Sequence, residues 1–127
     1  MLKKVLFFLA LFWGGLIAFF CLIKSSDVPQ VSIPNLDKLV HAFFYFVFTI
    51  LWFLFFKKHI GATGIFKALV ISFVFSFLFG VSIEILQELF TATRHADVLD
   101  VLANLSGATL SVFVIMLLIK FNKLDKI

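Results

Sequence analysis

The sequence predicts an all-α fold: an integral membrane bundle of four transmembrane helices, forming a single domain over residues 1–127, with both termini in the cytoplasm. Three observations support this prediction: the composition, four long apolar runs, and the distribution of charge between the connections. Of the 127 residues, 63% are hydrophobic and 14% are charged, whereas soluble domains average about 45–50% and about 25%. This composition excludes a soluble enzyme domain and a disordered chain, and the single cysteine, Cys21, excludes a disulfide scaffold.

Each of the four apolar runs is long enough for one membrane-spanning helix, which needs about 20 mostly apolar residues. The runs predict helices at approximately 5–23, 39–56, 68–90 and 98–119. They are too long for strands, and four segments are too few for a closed barrel. The first run follows Lys3 and Lys4, as a signal peptide does. However, it exceeds the usual apolar core of about 7–15 residues and no cleavage site follows it, so we expect an uncleaved helix.

The distribution of charged residues predicts the orientation. Eight of the 11 basic residues lie at the termini or in the second connection: Lys3, Lys4, Lys57, Lys58, Lys67, Lys120, Lys123 and Lys126. The other three, Lys24, Lys38 and Arg94, share the first and third connections with every acidic residue except Asp125. The positive-inside rule therefore places both termini and the second connection in the cytoplasm of a multi-pass protein of the inner (cytoplasmic) membrane. The basic excess is a signal of topology, and we expect no nucleic-acid partner.

Polar side chains gather where the predicted helices reach the outer membrane face. We expect them to form one ligand-binding site, which contains Asp37, Lys38, His41, Tyr45, Glu84, Gln87, Arg94, Asp97, Asp100 and Asn104. Charged residues inside a span are costly, so they should face the bundle and find partners there. Glu88 lies further out, and we expect it to be a surface residue.

Three helical stripes lead into this group, because residues three or four positions apart share one helix face. Small residues continue the stripes of the third and fourth helices inward, and we expect these two stripes to pack together. The stripes are Asp37, His41 and Tyr45; Ser72, Ser76, Gly80 and Glu84; and Asp97, Asp100, Asn104, Gly107 and Ser111.

Each polar residue also has a purely structural explanation. Asp97 could cap the fourth helix, and His41 could be an interior histidine that bonds to a carbonyl. Tyr45 could be an aromatic anchor at the membrane interface, and Lys38 could extend to the headgroups. Arg94 could serve only as an ion-pair partner. The convergence of so many polar residues on one face of a short chain is harder to explain in this way.

The order and spacing of these residues resemble the VanZ-like family of small polytopic membrane proteins, named after a teicoplanin-resistance protein. The resemblance covers nearly the whole chain and rests on three motifs: Asp37-Lys38-x-x-His41-x-x-x-Tyr45, Glu84-x-x-Gln87 and Arg94-x-x-Asp97-x-x-Asp100-x-x-x-Asn104-x-x-Gly107. It implies a helical membrane domain whose motifs belong to a single site, and a link to the cell envelope or to antibiotic tolerance. It does not supply a reaction.

Three functions remain open from the residues. The first is a binding site for a membrane lipid or a lipid-linked envelope precursor with an anionic or polar headgroup. Its donors to phosphate or carboxylate would be Lys38, His41 and Arg94. Its groups for orienting those donors, or for sugars and amines, would be Glu84, Asp100 and Asn104.

The second function is an enzyme acting on such a component, with His41, Glu84 or Asp100 as the candidate general acid or base. No nucleophile elbow, HExxH motif or phosphate-binding glycine loop is present, so catalysis stays open. We expect no cofactor, and a metal site from His41, Glu84, His95 and Asp97 is disfavoured because its spacing matches no known ligand pattern. The third function is a structural or accessory subunit of an envelope complex. A transporter is disfavoured unless the chain forms an oligomer.

Overall fold

The chain forms four long helices in a computed structural model that describes residues 1–22, 36–91 and 97–121. The helices are α1 (Leu2–Leu22), α2 (Leu36–Ile60), α3 (Ile65–Phe90) and α4 (Val98–Lys120). Each is long and apolar enough to cross a membrane, so the prediction of an all-helical, multi-pass membrane protein is confirmed. The orientation of the termini stays a prediction.

Helix α2 extends beyond its apolar run at both ends, because charged residues occupy these ends favourably. Helix α2 begins three residues before its apolar run, with Asp37 in its first turn, and ends with Lys57 and Lys58 in its last turn. An acidic residue at the start and basic residues at the end both stabilise the helix dipole. Gly61, at φ 101°, then allows the sharp turn into α3. As a result, Asp37 and Lys38 lie on α2 itself.

Aromatic side chains form much of the contact between α2 and α3. The rings of Phe48 and Phe79 stack at 4.6 Å, and Trp52 meets Phe75 edge to face at 4.9 Å. Offset and edge-to-face pairs add about 0.5–1.5 kcal/mol beyond the area that they bury. The outward faces of all four helices expose large apolar side chains, as expected for surfaces that contact lipid.

The small-residue stripes pack differently from the prediction. Gly80 on α3 does lie against α4, where a Cβ would be 3.1 Å from Nδ2 of Asn104, but it also lies against the Tyr45 ring of α2. Gly107 on α4 lies against α2 instead, because a Cβ there would overlap the backbone of Ala42. Helix α4 packs most extensively on α2. The two stripes therefore line an interior that they share with α2.

Alternating helix directions bring the C-terminal turns of α1 and α3 beside the N-terminal turns of α2 and α4. We call this the polar end of the bundle. Three hydrogen bonds hold it together: Gln87 Nε2 to the Cys21 carbonyl (2.6 Å), Lys38 Nζ to Asp97 Oδ2 (2.9 Å), and the Asp97 backbone N–H to Glu84 Oε2 (3.1 Å). All four helices thus contribute to this end.

Candidate functional site

Lys38 connects α2 to α4 through three carboxylates. Its ammonium lies 3.2 Å from Asp37 Oδ2 and 2.9 Å from Asp97 Oδ2, and it also donates to Asp100 Oδ1. The Lys38 side chain is 24% exposed. It is therefore held by carboxylates of α2 and α4, and its position relative to the headgroups stays a prediction.

Asp97 has two structural roles. Its Oδ1 accepts a hydrogen bond from the Leu99 backbone N–H at 2.9 Å, which confirms that it caps α4. Its Oδ2 bonds to Lys38, and this bond holds the pKa of the Asp97 carboxyl below its usual range. Asp97 therefore fixes the start of α4 and pairs with α2 at once.

His41 lies between Asn104 and Asp100. Its Nδ1 is 3.0 Å from Asn104 Oδ1, and its Nε2 is 3.9 Å from Asp100 Oδ2. An amide oxygen only accepts hydrogen bonds, so Nδ1 donates in this bond, and Nε2 is the ring nitrogen that faces Asp100. His41 is therefore an interior histidine that bonds to a carbonyl, as its structural explanation predicts, and the carbonyl belongs to the Asn104 side-chain amide.

Glu84 is the most deeply buried carboxylate of the site, at 3% exposure. Its Oε2 accepts the Asp97 backbone N–H, whereas its Oε1 has no hydrogen-bond partner among the described residues. Nearly all buried polar atoms in proteins have a partner. The unpartnered oxygen of Glu84 therefore calls for an explanation.

Tyr45 and Gln87 lie beside this ionic group without joining it. Tyr45 is 1% exposed and its hydroxyl has no partner within the described ranges, so the explanation of an anchor at the interface is wrong. Gln87 bonds to the Cys21 carbonyl near the end of α1. Arg94 and His95, which the sequence also places near the site, lie outside the described residues.

The structure thus brings six of the predicted site residues together, and Asp37 joins them at the rim. The six are Lys38, His41, Glu84, Asp97, Asp100 and Asn104. A sequence model of the VanZ/LLP1 family matches residues 6–119. The chain belongs to the VanZ/LLP1 family. No curated protein and no solved structure matches the chain. The predicted resemblance to VanZ-like proteins is confirmed.

In this VanZ/LLP1 protein the exposure of the site side chains falls from the surface toward the interior of the bundle. The side chain of Asp37 is 67% exposed, that of Asp100 is 13% exposed, and that of His41 is 8% exposed. Glu84 is the most deeply buried of the site carboxylates, at 3% exposure. The interior part of the site therefore stays out of bulk water, whereas Asp37 lies at the surface.

Two residues that position the site are absent from the residues predicted for it. Trp13 Nε1 donates to the Phe44 carbonyl at 2.9 Å and joins α1 to α2, and no local pattern marks it. Ala42 is the residue against which Gly107 packs. It is the one alanine of α2, which has no glycine or serine, and that was the available signal for a close helix approach.

Proposed function

We propose that this VanZ/LLP1 protein binds the headgroup of a membrane lipid or lipid-linked envelope component at its polar end, and that this end faces away from the cytoplasm. The basic residues support the orientation. Lys3 and Lys4 lie in the first turn of α1, and Lys57, Lys58 and Lys120 lie in the last turns of α2 and α4. All five are at the end of the bundle opposite the site, which the positive-inside rule assigns to the cytoplasm.

The unpartnered carboxylate oxygen of Glu84 is the observation that carries the proposal. A network with a purely structural role satisfies all of its buried polar atoms, because each unsatisfied one costs about 1–3 kcal/mol. Here the side-chain amide nitrogen of Asn104 also lacks a partner among the described residues. A bound headgroup that both donates and accepts hydrogen bonds would satisfy both atoms.

The charge of the site indicates which part of the headgroup would lie there. Among the described residues the site has four carboxylates and one ammonium, and the ammonium of Lys38 already contacts three of the carboxylates. This balance disfavours a phosphate beside Lys38 and favours hydroxyl or amine donors of a sugar or amine group near Glu84 and Asp100. We expect Arg94 to bind any phosphate group of the same headgroup. The expected ligand is therefore a phosphate-linked headgroup with sugar or amine groups.

Native mass spectrometry of the purified protein tests this function. Wild type should retain a lipid or lipid-linked sugar, and Glu84→Gln should lose it because the amide replaces an acceptor with a donor. Arg94→Ala should also lose it. Glu88→Gln is the matched control, since Glu88 is an exposed residue one turn along the same helix. Equal adducts in all four proteins would contradict the proposal.

The contacts of Lys38 support a second candidate, a structural or accessory subunit of an envelope complex. On this alternative the ionic cluster only holds α2 against α4. Asp100→Asn separates the two functions. A scaffold should lose thermal stability and envelope function together, whereas a headgroup site should keep its fold and lose its lipid adduct.

Family membership also leads us to propose a contribution to glycopeptide tolerance. A strain that lacks the gene should become more sensitive to teicoplanin, and the wild-type gene should restore tolerance. The Glu84→Gln gene should fail to restore it at equal protein abundance. Unchanged sensitivity in the deletion strain would contradict this link.

A further inference from the structure

We propose that His41, Glu84 and Asp100 form a site for one divalent transition-metal ion, and that its donor set suits zinc. The three residues come from α2, α3 and α4. One potential ligand atom from each lies within 4.8 Å of the other two. One imidazole and two carboxylates are typical donors for zinc, whereas magnesium prefers oxygen donors alone.

Within the described part of the chain, each of these residues has one side-chain atom in a hydrogen bond and a second atom outside that bond. His41 Nδ1 bonds to Asn104, and its Nε2 faces Asp100 Oδ2. Asp100 Oδ1 accepts from Lys38, and Glu84 Oε2 accepts from the Asp97 backbone N–H. Metal ligands are commonly oriented in this way by a hydrogen bond to the atom that does not bind the metal.

The free oxygen of Glu84 is an independent sign that the site takes a cation. It is buried and has no hydrogen-bond partner, and within residues 1–22, 36–91 and 97–121 Glu84 makes no ion pair. The His41 lone pair and Asp100 Oδ2 are also acceptors. One potential ligand atom from each residue lies close to the other two, and a positive charge at the centre of such a group of acceptors stabilises it.

The geometry requires only a small adjustment. Bonds of about 2.0–2.2 Å in a tetrahedral site place ligand atoms about 3.4 Å apart. Rotation of the two carboxylates and the imidazole closes the remaining difference from the observed separation. This ligand set differs from the disfavoured set of His41, Glu84, His95 and Asp97. Asp97 contacts Lys38 instead, and His95 lies outside the described residues.

Three protein ligands leave one position open, as in catalytic zinc sites. A hydroxyl oxygen of the headgroup could occupy it, and the headgroup would then reach Glu84 and Asp100 through the metal ion. This extension rests on the proposed function, whereas metal binding itself does not. The two are therefore tested with separate measurements.

Zinc content of tag-free, detergent-purified protein is the first measurement. After equilibration with zinc and removal of the excess, we expect about one zinc per chain by elemental analysis, and no retained magnesium. His41→Gln and Glu84→Gln should bind zinc at least about 100-fold more weakly, and Asn104→Ala about 10–100-fold more weakly. The controls are Glu88→Gln and His59→Gln, which replace exposed residues and should bind as wild type does.

Wild type alone also tests the site if a variant does not fold. Zinc should raise its thermal midpoint and a chelator should reverse the increase. Wild type without stoichiometric zinc, or a His59→Gln control as impaired as His41→Gln, overturns the proposal. A lipid adduct on protein that binds no zinc would overturn the metal site and leave headgroup binding intact. Zinc bound at this site on protein that carries no lipid adduct would support the metal site and overturn headgroup binding.

Discussion

Replacing Gly107 with alanine should push α4 away from α2 and open the ionic site. A Cβ at this position would lie 2.8 Å from the carbonyl carbon and 3.0 Å from the Cα of Ala42, and it would overlap the carbonyl oxygen. Ordinary contacts between carbon atoms are about 3.5–4.0 Å. Both obstructing groups are backbone, so the helices must separate.

The magnitude follows from two opposing effects. Overpacking a well-packed interior typically costs about 1–3 kcal/mol, and a backbone obstruction should fall at the upper end of that range. Alanine is favoured over glycine within a helix by about 1 kcal/mol. We therefore expect a net loss of about 1–2 kcal/mol in the free energy of unfolding.

Gly15→Ala is the matched control, because a Cβ on this exposed glycine of α1 meets nothing within 4 Å. It should be neutral or more stable by up to about 1 kcal/mol. Equilibrium unfolding in detergent should thus separate the two variants by about 1–3 kcal/mol. The Gly107 variant should also lose ligand binding, since Asn104 and Asp100 lie on the same face of α4. Equal stability of the two alanine variants would refute the close approach of α2 and α4.

Three further predictions concern the contacts around the site. Folding lowers the pKa of Asp97, so its stabilising effect is present above its unfolded value of about 3.9 and is lost as the pH falls below it. The thermal midpoint should therefore fall between about pH 5 and pH 3, and Asp97→Asn should reduce the fall; an unchanged pH profile would contradict the pairing with Lys38. Gln87→Leu removes the hydrogen bond to the end of α1 and should speed maleimide labelling of the buried Cys21 thiol, whereas unchanged labelling would show that this bond does not hold α1. Trp13→Phe should cost about 0.5–1.5 kcal/mol in the free energy of unfolding, because it removes the indole donor to α2; no loss in the same detergent assay would contradict this.

The sequence by itself determined the number of helices and the end at which the polar residues meet. Bilayer thickness sets the length of an apolar span, so four long runs specify four helices. Successive spans alternate in direction. Residues at the end of α3, such as Glu84, must therefore meet residues at the start of α2 and α4, such as Lys38 and Asp100.

Only the tertiary structure decided which side chains touch. The rotation of each helix about its axis is set by packing over its whole length, and spacing alone does not fix it. The spacing of the stripe that contains Gly107 therefore predicts which face of α4 the stripe occupies, but not which helix it contacts. In the structure Gly107 lies against Ala42 of α2 and not against α3. The same packing brings one potential ligand atom from each of His41, Glu84 and Asp100 within 4.8 Å of the other two. That juxtaposition has no counterpart in the sequence, because it joins three helices through distances that no local spacing encodes.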